Sequence, residues 1–185
     1  MPRGVDTWLV GACATTGERV LIYAGAVVSA GLVWVLSVQG QGWSWWLSLL
    51  AVLVAADLFG GAIANATSST KAQYQAPLLQ GAPWWQRLIQ QPVVFTALHV
   101  HPLLIVLLYP GGSWSWGIGW YAAAIGAVAL VDRGVRRNLQ RPTAMAMFVI
   151  AIPVAVAFPG PPGWSWLPLV YLAKLLLGHA VREGA

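Results

Sequence analysis

The sequence predicts an all-α, polytopic integral membrane protein: a bundle of six transmembrane helices, both termini cytoplasmic, with one short interfacial helix in the second connection. Three observations carry that expectation. Only 8% of the 185 residues are charged while 58% are hydrophobic, against about 25% charged in a soluble domain. Uncharged apolar runs such as Val20 to Val38 recur along the chain, each near the ~20 residues that a helix needs to cross the hydrocarbon core. The connections between the runs alternate between neutral and basic.

The spans fall at about 19–38, 43–65, 92–109, 114–131, 143–158 and 164–182, which makes the chain one transmembrane domain over 1–185. The first, third and fifth connections, "QGQG", "PGGS" and "PGPPG", are tight turns without a charge. The other connections and the termini hold every arginine: Arg3, Arg19, Arg87, Arg133, Arg136, Arg137, Arg141 and Arg182, with Lys71 beside them. The positive-inside rule puts these on the cytoplasmic side and the neutral turns outside. Arginine outnumbers lysine, and Gly and Ala are abundant, a composition that suits a GC-rich bacterial source and hence the bacterial inner membrane.

A Trp-Ser-Trp triplet follows each neutral turn, in "GWSWWL", "GSWSWG" and "GWSWLP". Trp favours the headgroup boundary, where its ring meets lipid and its N–H meets water, and an adjacent Ser caps a helix start. The triplets are therefore expected to be anchors on one outer rim, each opening an even-numbered span. In the second connection, about 66–91, "PWWQRLIQQ" at 83–91 places Trp84, Trp85, Leu88 and Ile89 on one face behind a first-turn proline. That pattern suits an interfacial helix on the inner leaflet, or a lid through which Trp85 would touch a ligand.

Ionisable groups at bilayer depth are costly and point to function. Asp57, His99, His101 and Lys174 lie within spans. At the helical rise per residue, Lys174 lies about 15 Å below Trp164, His99 about 15 Å from Tyr109 and Asp57 about 21 Å below Trp43. An acid, a base and an amine thus converge near the midplane from three helices. Asp57, Gly61 and Asn65 share a face at four-residue spacing, and the Gly60–Gly61 pair permits close approach of another helix. Lys174, with Tyr171 a turn before it, is expected to pair with Asp57. On a continuous helix His99 and His101 diverge by roughly 200°, so only one enters the site; depth favours His99. Pro102 would free the Leu98 carbonyl. His179 and Arg182 are expected at the cytoplasmic exit, solvated or against lipid phosphates, and Asp132 among its basic neighbours.

Asp57, His99 and Lys174 are thus the candidate catalytic residues, with Asn65, Gly61, His101, Tyr171 and Trp85 as candidate substrate contacts. Neither a metal nor a cofactor is expected. Cys13 is the only cysteine, so disulfides and cysteine metal clusters are excluded, and the apolar run before "LVGAC" is too short for a lipoprotein signal. No H-E-x-x-H, G-x-S-x-G or Walker loop occurs. A bis-histidine haem needs two inward histidines at matching depth, and a retinal-binding lysine usually belongs to seven spans.

Two readings remain. In one, an enzyme acts on a lipophilic, isoprenoid-like substrate by protonation-initiated cyclisation or isomerisation, with a protonated Asp57 as donor. In the other, a substrate-binding subunit or small proton-coupled carrier uses the same site, which requires dimerisation or partner subunits. The expected partners are membrane lipids and a lipophilic small molecule, and not nucleic acid.

Overall fold

The computed structural model describes residues 5–78 and 83–182. Arg3 and residues 79–82 of the second connection lie outside the described residues. Among the described residues the chain is helical, without strands. Its helices are α1 (Val5–Val10), α2 (Thr16–Val38), α3 (Trp45–Ala66), α4 (Ser68–Gln75), α5 (Trp84–Ile89), α6 (Pro92–Leu98), α7 (His101–Leu108), α8 (Trp114–Gly134), α9 (Arg137–Ala157) and α10 (Leu167–Ala180).

Four of these, α2, α3, α8 and α9, are long and apolar enough to cross a membrane. The third and sixth expected spans form shorter apolar helices, Pro92–Leu108 and Leu167–Ala180. Val27, Leu36, Ile150 and Val156 are all exposed on the outside of the bundle. Large apolar side chains turned outward in this number need a lipid solvent, so the chain is a multi-pass membrane protein.

The last helix is the axis. Leu167, Tyr171, Leu175 and Leu176 keep none of their surface exposed, and α3, α6, α8 and α9 all pack on α10. An apolar sequence read without neighbours gives no way to tell this central helix from the peripheral α2. Every helix here is apolar, and burial of one against another leaves no amphipathic stripe.

The three neutral turns meet at one end. Gly163, at φ +84°, brings its Cα so close to the first turn that a Cβ would lie 2.7 Å from the Ser37 carbonyl oxygen. Pro162 touches Gly111, and Trp116 covers Gly160. The opposite end is charged: Arg182 donates to Asp132 at 3.1 Å, Arg133 flanks the same carboxylate, and Arg136, Arg137 and Arg141 are exposed. Arg19 pairs with Asp6 nearby.

The triplets differ from the expectation. Trp45, Trp46 and Trp114 are exposed, but Trp164 is fully buried and Trp116 nearly so. Trp164 packs edge-on to Tyr109 at 4.8 Å and stacks on Trp43 at 6.1 Å, so with Trp116 each of the three triplets sets a tryptophan against the core. Nor do the triplet serines cap: Ser44 makes no capping bond, Ser113 before the second triplet caps Trp116, and α10 begins only at Leu167. The fifth span also begins earlier than expected, at Arg137, because Pro142 falls within the first turns of α9, where it breaks few hydrogen bonds.

The short helix in the second connection forms as α5, with Trp84 and Trp85 both exposed. Ahead of it α4 was not foreseen from sequence. Thr67 closes α3 and caps α4 in one residue: its hydroxyl donates to the Ala64 carbonyl at 2.8 Å and accepts from the Thr70 N–H.

Candidate functional site

Asp57 lies twelve residues into α3, about 18 Å from its start. Its Oδ2 accepts from Lys174 Nζ at 2.7 Å. The same ammonium donates to the Asp57 carbonyl at 3.3 Å. Opposing charges in low dielectric reduce each other's desolvation cost only when hydrogen bonded in this way. The two partners differ in exposure, since the Lys174 side chain is 5% exposed and that of Asp57 is 51% exposed. Gly61 makes room for the pair: a Cβ there would fall 2.5 Å from Lys174 Cε and 2.9 Å from Nζ.

Lys174 belongs to a π-helical stretch, Ala173–Ala180. A wider π turn inserted at the end of an α-helix is a frequent feature of functional sites. Asn65 holds it from α3, its Nδ2 donating to the Lys174 carbonyl at 3.2 Å. The π turn also brings His179, five residues on, beneath Lys174.

The histidine pair corrects the expectation of a single inward ring. The helix breaks at His99 (φ −87°, ψ 70°) and Val100 (φ −76°, ψ 15°), and α7 restarts with Pro102 in its first turn. Without helical continuity the 200° divergence disappears, and the two rings lie 5.5 Å apart. His101 Nε2 is 3.5 Å from Asp57 Oδ2, while its Nδ1 is buried without a hydrogen-bond partner among the described residues. His99 Nδ1 bonds the Phe95 carbonyl at 2.7 Å. His101 therefore adjoins the carboxylate, and His99 stands behind it.

Two tyrosines stabilise the break. Tyr171 donates to the His99 carbonyl at 2.6 Å and Tyr121 to the Ala97 carbonyl at 2.7 Å. The carbonyls that gain side-chain partners thus flank Leu98. Tyr121 was not a sequence candidate, because an isolated Tyr in an apolar span carries no signal of what its hydroxyl reaches.

The side of Asp57 that faces the α6–α7 pair is thinly covered: α3 packs chiefly on α2 and α10, the α6–α7 pair chiefly on α8, and α3 makes little contact with either α6 or α7. At the neutral end they are joined by Tyr109, which donates to the Leu47 carbonyl at 2.6 Å. At the charged end Gln90 donates to the carbonyls of Gln73 and Ala76, and the Tyr74 and Phe95 rings lie 5.9 Å apart. Between these ties Leu53, a turn from Asp57, and Leu104, a turn from His101, are both exposed.

Asp57, Gly61, Asn65, His99, His101, Tyr171 and Lys174 are thus brought into one group, linked by the bonds and contacts above. Trp85 is on α5 and exposed. Two further residues join the group that sequence reading did not place there. His179 is 7% exposed and stacks on Phe95 at 4.0 Å rather than facing solvent. Tyr74 on α4 meets the His179 ring edge-on at 4.9 Å. Burial, with the Asp57 carboxylate adding to it, pushes the Tyr74 phenol above its ordinary pKa, so it remains a hydrogen-bond donor near neutral pH. Arg182, with Asp132, is held in the charged end.

No protein-family model matches the chain, and no curated protein or solved structure matches it either.

Proposed function

We propose that this is an integral membrane enzyme that performs acid/base chemistry on a lipophilic, isoprenoid-like substrate reaching Asp57 and His101 sideways from the bilayer. The carrying observation is a half-exposed carboxylate, paired with a buried ammonium, in an opening between helices that are tied together above and below it. A site for a water-soluble substrate has no need of a mid-depth carboxylate turned towards lipid-facing leucines.

In this reading the half-exposed Asp57 carboxylate takes a proton from the substrate and returns it at another carbon, and His101, whose Nε2 faces that carboxylate, holds the proton in between. The 3.5 Å separation is long for a hydrogen bond, and such bonds often tighten when substrate binds. Lys174 holds the carboxylate and balances its charge. With Lys174 donating to it, Asp57 serves as an acceptor rather than as a starting acid, so isomerisation fits better than protonation-initiated cyclisation. Trp85 would close the opening from the inner leaflet.

The proposed topology has six spans, both termini cytoplasmic, in a bacterial inner membrane. The clustering of neutral turns at one end and arginines at the other supports it. The broken helix at His99 favours a second reading, a carrier subunit, since discontinuous helices at mid-depth form substrate sites in transporters.

Reconstituted protein supplied with polyprenyl lipids distinguishes the two. Product formation by wild type that is abolished in Asp57→Asn and reduced in Lys174→Met supports the enzyme. Saturable flux of a polar solute without turnover establishes the carrier instead.

A further inference from the structure

His179 has no part in the chemistry above, yet its placement is unusual for a residue of the charged end. The ring is more than nine-tenths buried, and Nε2 lacks a hydrogen-bond partner among the described residues. The other nitrogen is engaged by the Ile89 carbonyl, which makes it the N–H side and leaves Nε2 as a lone-pair acceptor. An unsatisfied buried nitrogen of this kind calls for an explanation.

The space beside it supplies one. A cavity of about 10 Å³ is bounded by His179 together with Asn65, Thr70, Lys71, Tyr74 and Gln75. That is the size of about one water, and a water requires polar walls with two to four partners. Lys71 already donates to the Val181 carbonyl at 3.1 Å, and Thr70 bonds Thr67, so the cavity adjoins the polar network of the charged end. On its other side the His179 ring is stacked on Phe95 at 4.0 Å, and Phe95 lies 4.4 Å from His99, whose ring neighbours His101. The order running inward is therefore cavity, His179, Phe95, His99, His101, Asp57.

We propose that His179 is the proton relay between the charged end and the Asp57–His101 site, with the Phe95 ring as the gate between His179 and His99. A water in the cavity gives a proton to Nε2, forming an imidazolium, and regains a proton from the water at the charged end. When the Phe95 side chain swings aside, the same proton leaves Nε2 through water that reaches His99, and the ring returns to neutral with its bond to Ile89 intact. One proton enters and one leaves. Histidines in series serve as proton relays across membranes, and an aromatic ring between two of them stops continuous leakage. The groups facing His179 are Tyr74, Lys71, His99 and Lys174.

The inference deepens the proposed function, but its test does not require turnover. In protein labelled with nitrogen-15 histidine and reconstituted in bilayers, NMR gives the rate at which the His99 and His101 ring protons exchange with water. The relay predicts exchange at least tenfold slower in His179→Phe and in His179→Gln, the latter retaining a polar group at the cavity. It predicts faster exchange in Phe95→Ala. Unchanged rates in both His179 variants overturn the proposal. Slowed exchange together with no conversion of polyprenyl lipids by wild type sustains the relay and removes only the enzymatic reading.

Discussion

Lys174 Nζ, nearly inaccessible on α10, lies 2.7 Å from Asp57 Oδ2 on α3, whose side chain is half exposed. The unequal exposure gives the pair a direction. The ammonium depends on the carboxylate more than the carboxylate depends on the ammonium, because only the ammonium lacks an alternative environment.

Removing either partner should therefore have unequal cost. Asp57→Asn leaves a buried cation unpaired and is expected to destabilise the protein by roughly 3 kcal/mol. Lys174→Met leaves a carboxylate with partial access and is expected to cost about 1 kcal/mol less. The double variant should recover part of the loss of Asp57→Asn. Reversible unfolding in mixed micelles measures all three, and equal costs for the two single variants contradict the assignment.

Gly61→Ala addresses the same pair by crowding. A methyl 2.5 Å from Lys174 Cε meets the far end of a flexible side chain, so the ammonium shifts while the helices stay in place. Turnover is expected to fall at least tenfold with a melting temperature within a few degrees of wild type. A large loss of stability with turnover per folded molecule intact would show that the glycine serves packing alone.

The break in the third apolar helix depends on Tyr171 and Tyr121. Tyr171→Phe strands the His99 carbonyl and should cost about 1–3 kcal/mol, the penalty for an unsatisfied buried acceptor. Tyr121→Phe acts on the Ala97 carbonyl, beyond the histidines. Both substitutions should destabilise, but only Tyr171→Phe should lower turnover out of proportion, since the His99 carbonyl belongs to the segment that aims both rings.

Tyr74 supplies a pH test outside the spans. Its pKa is raised by burial and by the Asp57 carboxylate, so the neutral phenol is the form favoured by the fold. Its contribution to stability is complete below the ordinary tyrosine value of about 10 and is lost as pH rises through the higher folded value. Absorbance titration near 295 nm should show a late-ionising component in wild type that shrinks by one tyrosine in Tyr74→Phe, and in Asp57→Asn the Tyr74 share of it should move to lower pH.

Much of this was legible in the sequence. Depth along the helices puts Asp57, His99 and Lys174 near one level; Asp57 and Lys174 bond there, while His99 stands behind His101. The four-residue spacing of Asp57, Gly61 and Asn65 puts all three on one face, and that face lies against Lys174 on α10. What failed did so where helical regularity fails. The angular separation of His99 and His101 presumes a continuous helix, and Pro102 signals a disturbance without saying that the helix ends four residues earlier, at Leu98. The π turn around Lys174 likewise has no sequence signature, so the sequence puts His179 in solvent or against lipid phosphates, whereas it lies buried under the site. Trp164 was read as a rim anchor because composition cannot say which of several apolar helices becomes the axis.

Asp57 and His101 should exchange a proton with a lipid that enters between α3 and α7. Incubating reconstituted protein with polyprenyl lipids in deuterated water, and measuring deuterium at carbon by mass spectrometry, shows this without intermediate steps. Wild type should incorporate deuterium, and His101→Gln and Asp57→Asn should not. Incorporation that persists in both variants, or none by wild type across polyprenyl substrates, rules the exchange out.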